Sequence, residues 1–295
     1  MIRLSIIILS YNTADFLKKT LASVQRVMQA DWEVLVVDND STDGSPEMVA
    51  ERFPFVKVIK NNTNLGFAAG NNVGLKKARG QYVMLLNSDT ELLSSSPIDP
   101  LLFYLDAVQE AAIASPKVVM ADGRLDRASH RGFPTPWNAV TYFLGMEKLF
   151  GTVPVLNRVF GRYHQTWESL NAVHEIDACT AAAMCVRAKA IDEVGLLDEQ
   201  FFMYGEDLDW CYRFKKAGWK IVFIPTVRVL HHKNKSGINR TVQHVHEQQI
   251  RTRAKSQFFD TMIQFYEKHY VSAYPLWLRH FVHNGIRLVR ILKGA

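Results

Sequence analysis

In residues 1–90, short apolar runs alternate with stretches of helical period. The runs are 4–9, 34–37, 56–59 and 82–86; Phe16, Leu17, Leu21, Val24 and Met28 fall at helical spacing after the first, and that spacing returns through 68–78. Such an alternation has few solutions. It predicts βαβ crossovers that build a parallel sheet covered by helices. In open sheets of this kind ligands sit beyond the carboxyl ends of the strands. The residues that end each run therefore carry the functional information.

Four polar clusters stand at predicted strand ends: Ser10-Tyr11-Asn12, Asp38-Asn39-Asp40-Ser41, Asn87-Ser88-Asp89 and His231-His232. Any one of them is compatible with an ordinary turn, since Asn, Asp and Ser favour turns through their own hydrogen bonds. Their common placement favours a shared site. An Asp after the second run can accept from a base N–H. A carboxylate at Asp89 can hold a hard cation against a phosphate. The stretch from Asp38 to Gly44 does not fit an EF-hand, because the glycine register and the distal Glu are wrong.

The stretch from Asn64 to Gly74 spaces Gly66, Gly70 and Gly74 by four residues at a predicted loop and helix start, with Phe67, Asn71 and Asn72 among them. Backbone N–H groups at a helix start attract phosphate, whereas small residues at this spacing also serve close helix packing. The run is neither G-x-G-x-x-G nor G-x-x-x-x-G-K-[ST], which disfavours dinucleotide enzymes and P-loop NTPases. Glu206, Asp207 and Asp209 open another predicted helix, 207–217. They either complement the helix dipole or supply a general base.

The middle of the chain is less regular. Leu101, Leu102, Leu105 and Val108 predict a helix and 117–120 a strand, after which residues 121–175 are rich in Gly, Pro and aromatics without clear period. That segment reads as a mobile or substrate-facing insertion. Strands follow at 181–186, 220–224 and 227–230, with a short helix around Ile191–Val194. Residues 241–295 read as mostly helical. After Pro275, Arg279, His283, Arg287 and Arg290 recur opposite Leu278, Val282, Val289 and Leu292. Such a helix lies on an anionic membrane or docks on the body or on a second subunit, the last giving a homo-oligomer.

Composition sets outer bounds. With 295 residues and 48% hydrophobic composition the chain can bury a full core. Three cysteines without C-x-x-C spacing suggest a reducing cytoplasm rather than a disulfide framework. The apolar start is too short to span a bilayer, and Ser10-Tyr11-Asn12 does not resemble a cleavage site, so a first strand is expected. From His231 onward there are 11 Lys and Arg against 3 Asp and Glu, whereas residues 1–230 carry 24 against 26. The tail is basic and the body is not, yet the tail contains no recognisable nucleic-acid module.

Together these motifs resemble the inverting family 2 glycosyltransferases of GT-A fold, in particular a rhamnosyltransferase-like branch. The resemblance covers residues 4–232. It rests on Ser10-Tyr11-Asn12, Asp38-Asn39-x-Ser41-x-Asp43-Gly44, N-x-G-F-A-x-G-N-N-x-G from Asn64, and Leu86-Asn87-Ser88-Asp89-Thr90. It continues through Phe201 to Asp209, Ala217-Gly218-Trp219 and His231-His232.

The resemblance implies a Rossmann-like mixed sheet flanked by helices over 1–232, with a donor half 1–120, an acceptor half 121–232 and a basic helical extension 233–295. It implies that Tyr11 and Asp38 contact the donor base, with Ser10, Asn12 and Asn39 beside them. Asn64, Gly66, Phe67, Gly70 and Asn71 would lie near the donor sugar or diphosphate, as would Asn87 and Ser88. Asp89, helped by His231, would ligate Mg²⁺ or Mn²⁺. Lys233 or Lys235 would stand near the leaving group. Asp207, with Glu206 beside it, would be the catalytic base. The family's usual D-x-D triplet is Asn87-Ser88-Asp89 here, which leaves one carboxylate. Implied partners are a nucleotide sugar, dTDP-rhamnose first and a galactofuranose or hexosamine donor next, and a glycan or lipid-linked glycan acceptor. The expected location is cytoplasmic, peripheral on the inner face of the plasma membrane. A non-catalytic nucleotide-sugar-binding or scaffold protein of the same fold is the alternative.

Overall fold

The computed structural model describes residues 1–233 and 245–292, with the side chains of 245–255 left aside. Lys235 and the predicted helical residues 241–244 lie outside the described residues. The first half runs β1 (Leu4–Ser10), α1 (Ala14–Val27), β2 (Trp32–Asp38), α2 (Ser45–Arg52), β3 (Val56–Lys60), α3 (Phe67–Leu75), β4 (Tyr82–Leu86), β5 (Thr90–Leu92), α4 (Asp99–Ala107) and β6 (Ala111–Met120). Three short helices follow, α5 (Pro136–Phe143), α6 (Met146–Phe150) and α7 (Leu156–Phe160). The remainder is β7 (His174–Ile176), β8 (Ala183–Arg187), α8 (Ala188–Val194), α9 (Glu206–Lys216), β9 (Lys220–His231), α10 (Val245–His269) and α11 (Leu276–Leu292).

The nine strands of the described residues join one sheet in the order β3-β2-β1-β4-β8-β6-β9-β5, with β7 also on β9. The four strands expected in residues 1–90 are parallel neighbours. From β4 onward the sheet is mixed: β8 runs antiparallel to β4 and β6, while β6 and β9 are parallel. Apolar residues on successive strand positions face opposite sides. Ile6 and Ile8 accordingly join Leu17, Leu21 and Leu101 in the core under α1 and α4, whereas Ile7 lies under α3 in a second core that also holds Leu35 and, from α9, Trp210 and Phe214. Both faces being covered, the β1, β2 and β4 runs are continuous hydrophobic stretches rather than alternating ones.

The two strands expected at 220–224 and 227–230 are one. β9 passes through Pro225 with a register shift against β6 between Pro116 and Lys117. Proline has no N–H to offer a ladder and is tolerated at such irregularities. Ser96 bridges the gap, its hydroxyl accepting from Arg228 N at 2.7 Å and donating to the Thr226 carbonyl at 3.1 Å.

The aperiodic stretch 121–175 is a packed insertion. The Trp137 indole N–H donates to the Val159 carbonyl at 3.0 Å, and Glu147 takes Arg127 at 2.9 Å and His164 at 2.7 Å. The C-terminal helices pack as a pair, and α10 enters the second core through Phe265, Tyr266 and Tyr270. The basic stripe of α11 does not face outward as a unit. Arg279 and His283 pair with Glu267, and Arg290 with Asp260, all on α10. These ion pairs seat α11 on α10, while Trp277, Phe281, Leu288 and Ile291 stay exposed. Among the described residues no helix is long and apolar enough to cross a membrane.

Candidate active site

A large cavity of 1630 Å³ opens over the carboxyl ends of β1, β2 and β4. Tyr11, Asn12, Asn39, Asn64, Gly66, Phe67, Asn87, Ser88, Asp89, Glu206, Asp207 and His231 all line it. Ser10, Asp38, Gly70 and Asn71 do not; they stand behind that wall.

Strand pairing makes the first corner. β5 leaves the Asn87-Ser88-Asp89 turn and runs antiparallel to the end of β9, so that Thr90 pairs with His231. Asp89 Oδ1 thereby comes within 3.3 Å of His231 Nε2. His232, the next residue, points away and bonds Glu91 at 2.7 Å. This settles which histidine faces the turn. Thr20 on α1 pins the turn from below, its hydroxyl lying 2.8 Å from the Ser88 carbonyl and 2.7 Å from that of Thr90. Ser10 belongs to the same support: its hydroxyl is 3.1 Å from that of Thr13, which donates to Ser88 at 3.0 Å.

Asp126, unsuspected from the sequence, completes this corner. The chain doubles back after β6, bridging Val119 with Leu125, and sets the Asp126 carboxylate 3.0 Å from His231 Nδ1. Lys233 donates to its other oxygen at 2.7 Å. Burial opposes a charge on Asp126, yet His231 and Lys233 hold it well below the usual carboxylate range. Burial likewise opposes a cation at His231, but hydrogen bonds with Asp126 and Asp89 outweigh it and raise the imidazole to about 9. With Nδ1 held by Asp126, Nε2 is the ring atom that faces Asp89 across 3.3 Å.

The second wall is a web of amides. Asn39 Nδ2 donates to the Gly66 carbonyl at 2.9 Å and to Asn64 Oδ1 at 3.1 Å, while Asn64 Oδ1 also accepts from Gly66 N at 2.9 Å. Gly66 has φ +83, and a Cβ there would meet the Phe202 carbonyl oxygen at 2.5 Å. Glycine is required on both counts. Gly70 plays the packing role that its spacing also allowed, since a Cβ would strike Leu9 Cδ1 at 2.6 Å. Asn71 bonds its own helix at Phe67. Asn72 braces the loop before α9, exchanging hydrogen bonds with both backbone groups of Leu197. Asp38 accepts from Ser41 N at 3.0 Å, and its Oδ1 is buried with no partner among the described residues. Asp43 is structural: it takes Ala14 N at 2.8 Å and Ser45 N at 3.1 Å, tying the starts of α1 and α2.

The third wall is the start of α9, whose three carboxylates separate. Asp207 Oδ2 lies 2.8 Å from Arg131 Nη2, both side chains being nearly buried. Burial, reinforced by the Asp207 charge, holds Glu206 well above the usual carboxylate range. Its Oε2 is enclosed with no partner among the described residues, as suits a neutral acid. Arg131 pairs with Asp207, while burial keeps the proton on Glu206. Asp209 faces the opposite way, where Lys268 at 2.6 Å, His269 at 2.7 Å and Arg213 at 2.8 Å surround it. Against its burial, these partners bring Asp209 down to about 2. It fastens α10 and is not a cavity residue.

Arg131 and Asp126 escaped the sequence reading because both sit in the aperiodic insertion. A lone charge there has no period and no strand end to mark it.

Comparison with known proteins agrees with this architecture. Residues 5–168 match the Glycosyl transferase family 2 profile, and 114–293 match Glycosyl transferase family group 2. The chain belongs to glycosyl transferase family 2. This glycosyltransferase is 30% identical over 242 residues to N-acetylglucosaminyl-diphospho-decaprenol L-rhamnosyltransferase of Mycobacterium tuberculosis, covering 78% of this chain and 76% of that one. It is 25% identical to rhamnosyltransferase WbbL of Escherichia coli, covering 78% and 85% respectively. These relatives place it in the rhamnosyltransferase-like branch. Among solved structures, GalNAc-T7 with UDP, GalNAc and Mn²⁺ superimposes with a TM-score of 0.59 at 17% identity, over 96% of this chain and 55% of that one. The Pyrobaculum calidifontis mannosyltransferase with GDP-Man and Mn²⁺ gives 0.55 at 17% identity, over 89% and 64%. At these identities the likeness is one of fold, and it is the GT-A fold.

Proposed function

We propose that this glycosyltransferase moves a sugar from a nucleotide-sugar donor to a hydroxyl of a glycan or lipid-linked glycan, with inversion, and that Asp207 is the base. The observation that carries the reading is that one cavity is lined both by Asp207 and by the Asp89–His231 corner. Inverting displacement needs an acceptor-side base and a counter-charge at the leaving group on opposite faces of the sugar. Asp207 takes the proton of the acceptor hydroxyl as its oxygen bonds the anomeric carbon, and the nucleoside diphosphate departs with the electrons of the broken bond. Tyr11, which lines the cavity, suits the base, with Asp38 behind it holding the Ser41 turn, and the amides around Asn39, Asn64 and Gly66 suit sugar and diphosphate.

Mg²⁺ or Mn²⁺ fits the first corner. Asp89 and His231 Nε2 offer two ligands, and Asp126 behind the imidazole holds the ring as outer partners of metal-bound histidines do. Among the described residues no cluster of three or more metal-ligating side chains is present. That suits a hard cation completed by phosphate oxygens and water rather than an all-protein cage. Bound there, the cation supplies charge to stabilise the leaving diphosphate. Lys233 stands beside the same corner. The rhamnosyltransferase relatives make dTDP-rhamnose the first donor to try. We assign donor binding to residues 1–120, acceptor binding to 121–232 and a supporting role to the extension 233–295.

The test pairs two measurements. Asp207→Asn should lower turnover about 10²- to 10⁴-fold while a nucleotide sugar still raises its melting temperature as in wild type. Near-normal turnover would remove Asp207 from the mechanism. A melting panel of dTDP-, UDP- and GDP-sugars with and without Mn²⁺ ranks donors without knowing the acceptor.

A further inference from the structure

We propose that the helical side of this cavity is a groove for the hydrocarbon tail of a lipid-linked acceptor. The inference rests on the reading of the chain as a glycosyltransferase whose acceptor hydroxyl meets Asp207. The cavity, at 1630 Å³, exceeds the roughly 300–1,000 Å³ usual for a small-molecule site. Its lining is of two kinds: Asn12, Asn64 and Asp89 at the strand ends, and Val140, Phe143 and Leu144 of the α5 segment, Met262 of α10, and Phe281 and Leu288 of α11 on the helical side.

Those apolar side chains are not simply core. Leu144 is 69% exposed, and Phe281 and Leu288 are each 58% exposed, although all three border the cavity. Two separate segments thus present large apolar groups at one mouth, an arrangement that soluble proteins seldom leave bare without a use. The charge pattern selects the occupant. Arg279 and His283 are spent on Glu267, and Arg290 on Asp260, so the paired cations of α11 turn to α10 and away from the groove. Arg287 stays exposed on the same helix and gives an anionic group one cation to meet, whereas a hydrocarbon chain gains apolar contact along its length. α11 has 17 residues, a rail of about 25 Å. An acceptor reaching Asp207 with its sugar would therefore trail its tail between α5 and α11.

The test measures binding of farnesyl phosphate and of dimethylallyl phosphate to the full chain below micelle-forming concentrations, beside the melting shift given by nucleotide sugars. Wild type should bind the longer tail at least about tenfold more tightly. Phe281→Glu and Leu288→Glu, both at exposed positions, should abolish that preference and leave the nucleotide shift intact. Phe103→Glu, on α4 outside the cavity and 58% exposed, should change neither. Equal binding of the two tails by wild type, or equal loss in Phe103→Glu, overturns the groove. So does a Leu288→Glu protein that loses phosphatidylcholine vesicles but keeps farnesyl phosphate, since the patch would then serve the bilayer itself. Absence of any nucleotide-sugar shift in wild type would instead overturn the donor site, a distinguishable failure.

Discussion

Glu206 is the acid whose protonation the structure makes measurable. It is enclosed beside Asp207, with one oxygen lacking a partner among the described residues. Burial and the neighbouring charge keep its proton on in the folded chain. In the unfolded chain the same carboxyl ionises near pH 4.3. A group whose folded pKa is raised contributes stability that is complete below its unfolded pKa and is lost as pH rises toward the folded one. Each proton held only by the folded state costs about 1.4 kcal/mol per pH unit in that window. Between pH 5 and 7 wild type should therefore lose about 2.5 kcal/mol through this residue alone. Glu206→Gln keeps the shape and neutrality of the protonated acid and cannot ionise. The difference in urea-unfolding free energy between variant and wild type, taken at pH 5, 6 and 7, should grow steadily in the variant's favour. Every other titrating group, His231 included, is common to both proteins and cancels. A difference that stays flat across the three pH values refutes the assignment of the proton to Glu206. Turnover of Glu206→Gln should stay within several-fold of wild type at pH 7, because a neutral acid is not the proton acceptor.

Asp209 gives the opposite sign. Its folded pKa is depressed to about 2, so its contribution is present above the unfolded value and is lost as pH falls through the folded one. Wild type should lose about 2 kcal/mol by this route between pH 4 and 2, and Asp209→Asn should lack that acid-sensitive component in the same unfolding experiment. Gly66→Ala should destabilise the chain by about 2 kcal/mol or more, since alanine is strained at φ +83 and its methyl would meet the Phe202 carbonyl. A wild-type melting temperature for Gly66→Ala would contradict the contact.

Much of the catalytic face was legible from residues 1–90 because buried parallel strands are written as continuous apolar runs, and the polar residue after each run marks the ligand side. Asn12, Asn39 and Asp89 were found in that way, His231 by the same rule at the later run 227–230, and Asn64 through the glycine spacing; all line the cavity. Asp126 and Arg131 were not, because what places them is tertiary: a hairpin after β6 and an isolated bridge between Arg131 and Ala178. β5 and β7, three residues each, are too short to show a period. Pro225 hid the continuity of β9. For α11 the 3.6-residue period showed a row of Arg and His but did not say what that row meets. The acids Glu267 and Asp260, on another helix, decide that.

The pairing of Thr90 with His231 also fixes when the first corner can exist. β1 to β4 can associate through nearby crossovers, and their polar strand ends are set by the first ninety residues. The partner of Asp89, however, arrives on the last strand of the sheet, and Asp126 must already be folded back to orient it. Closing such long loops is slow relative to local pairing. During synthesis the parallel half can form as a shell with amide walls and no place for a cation. The corner of Asp89 and His231 appears only on completion of β9, so under the proposed reading a chain interrupted before that point would hold half a donor site and be silent.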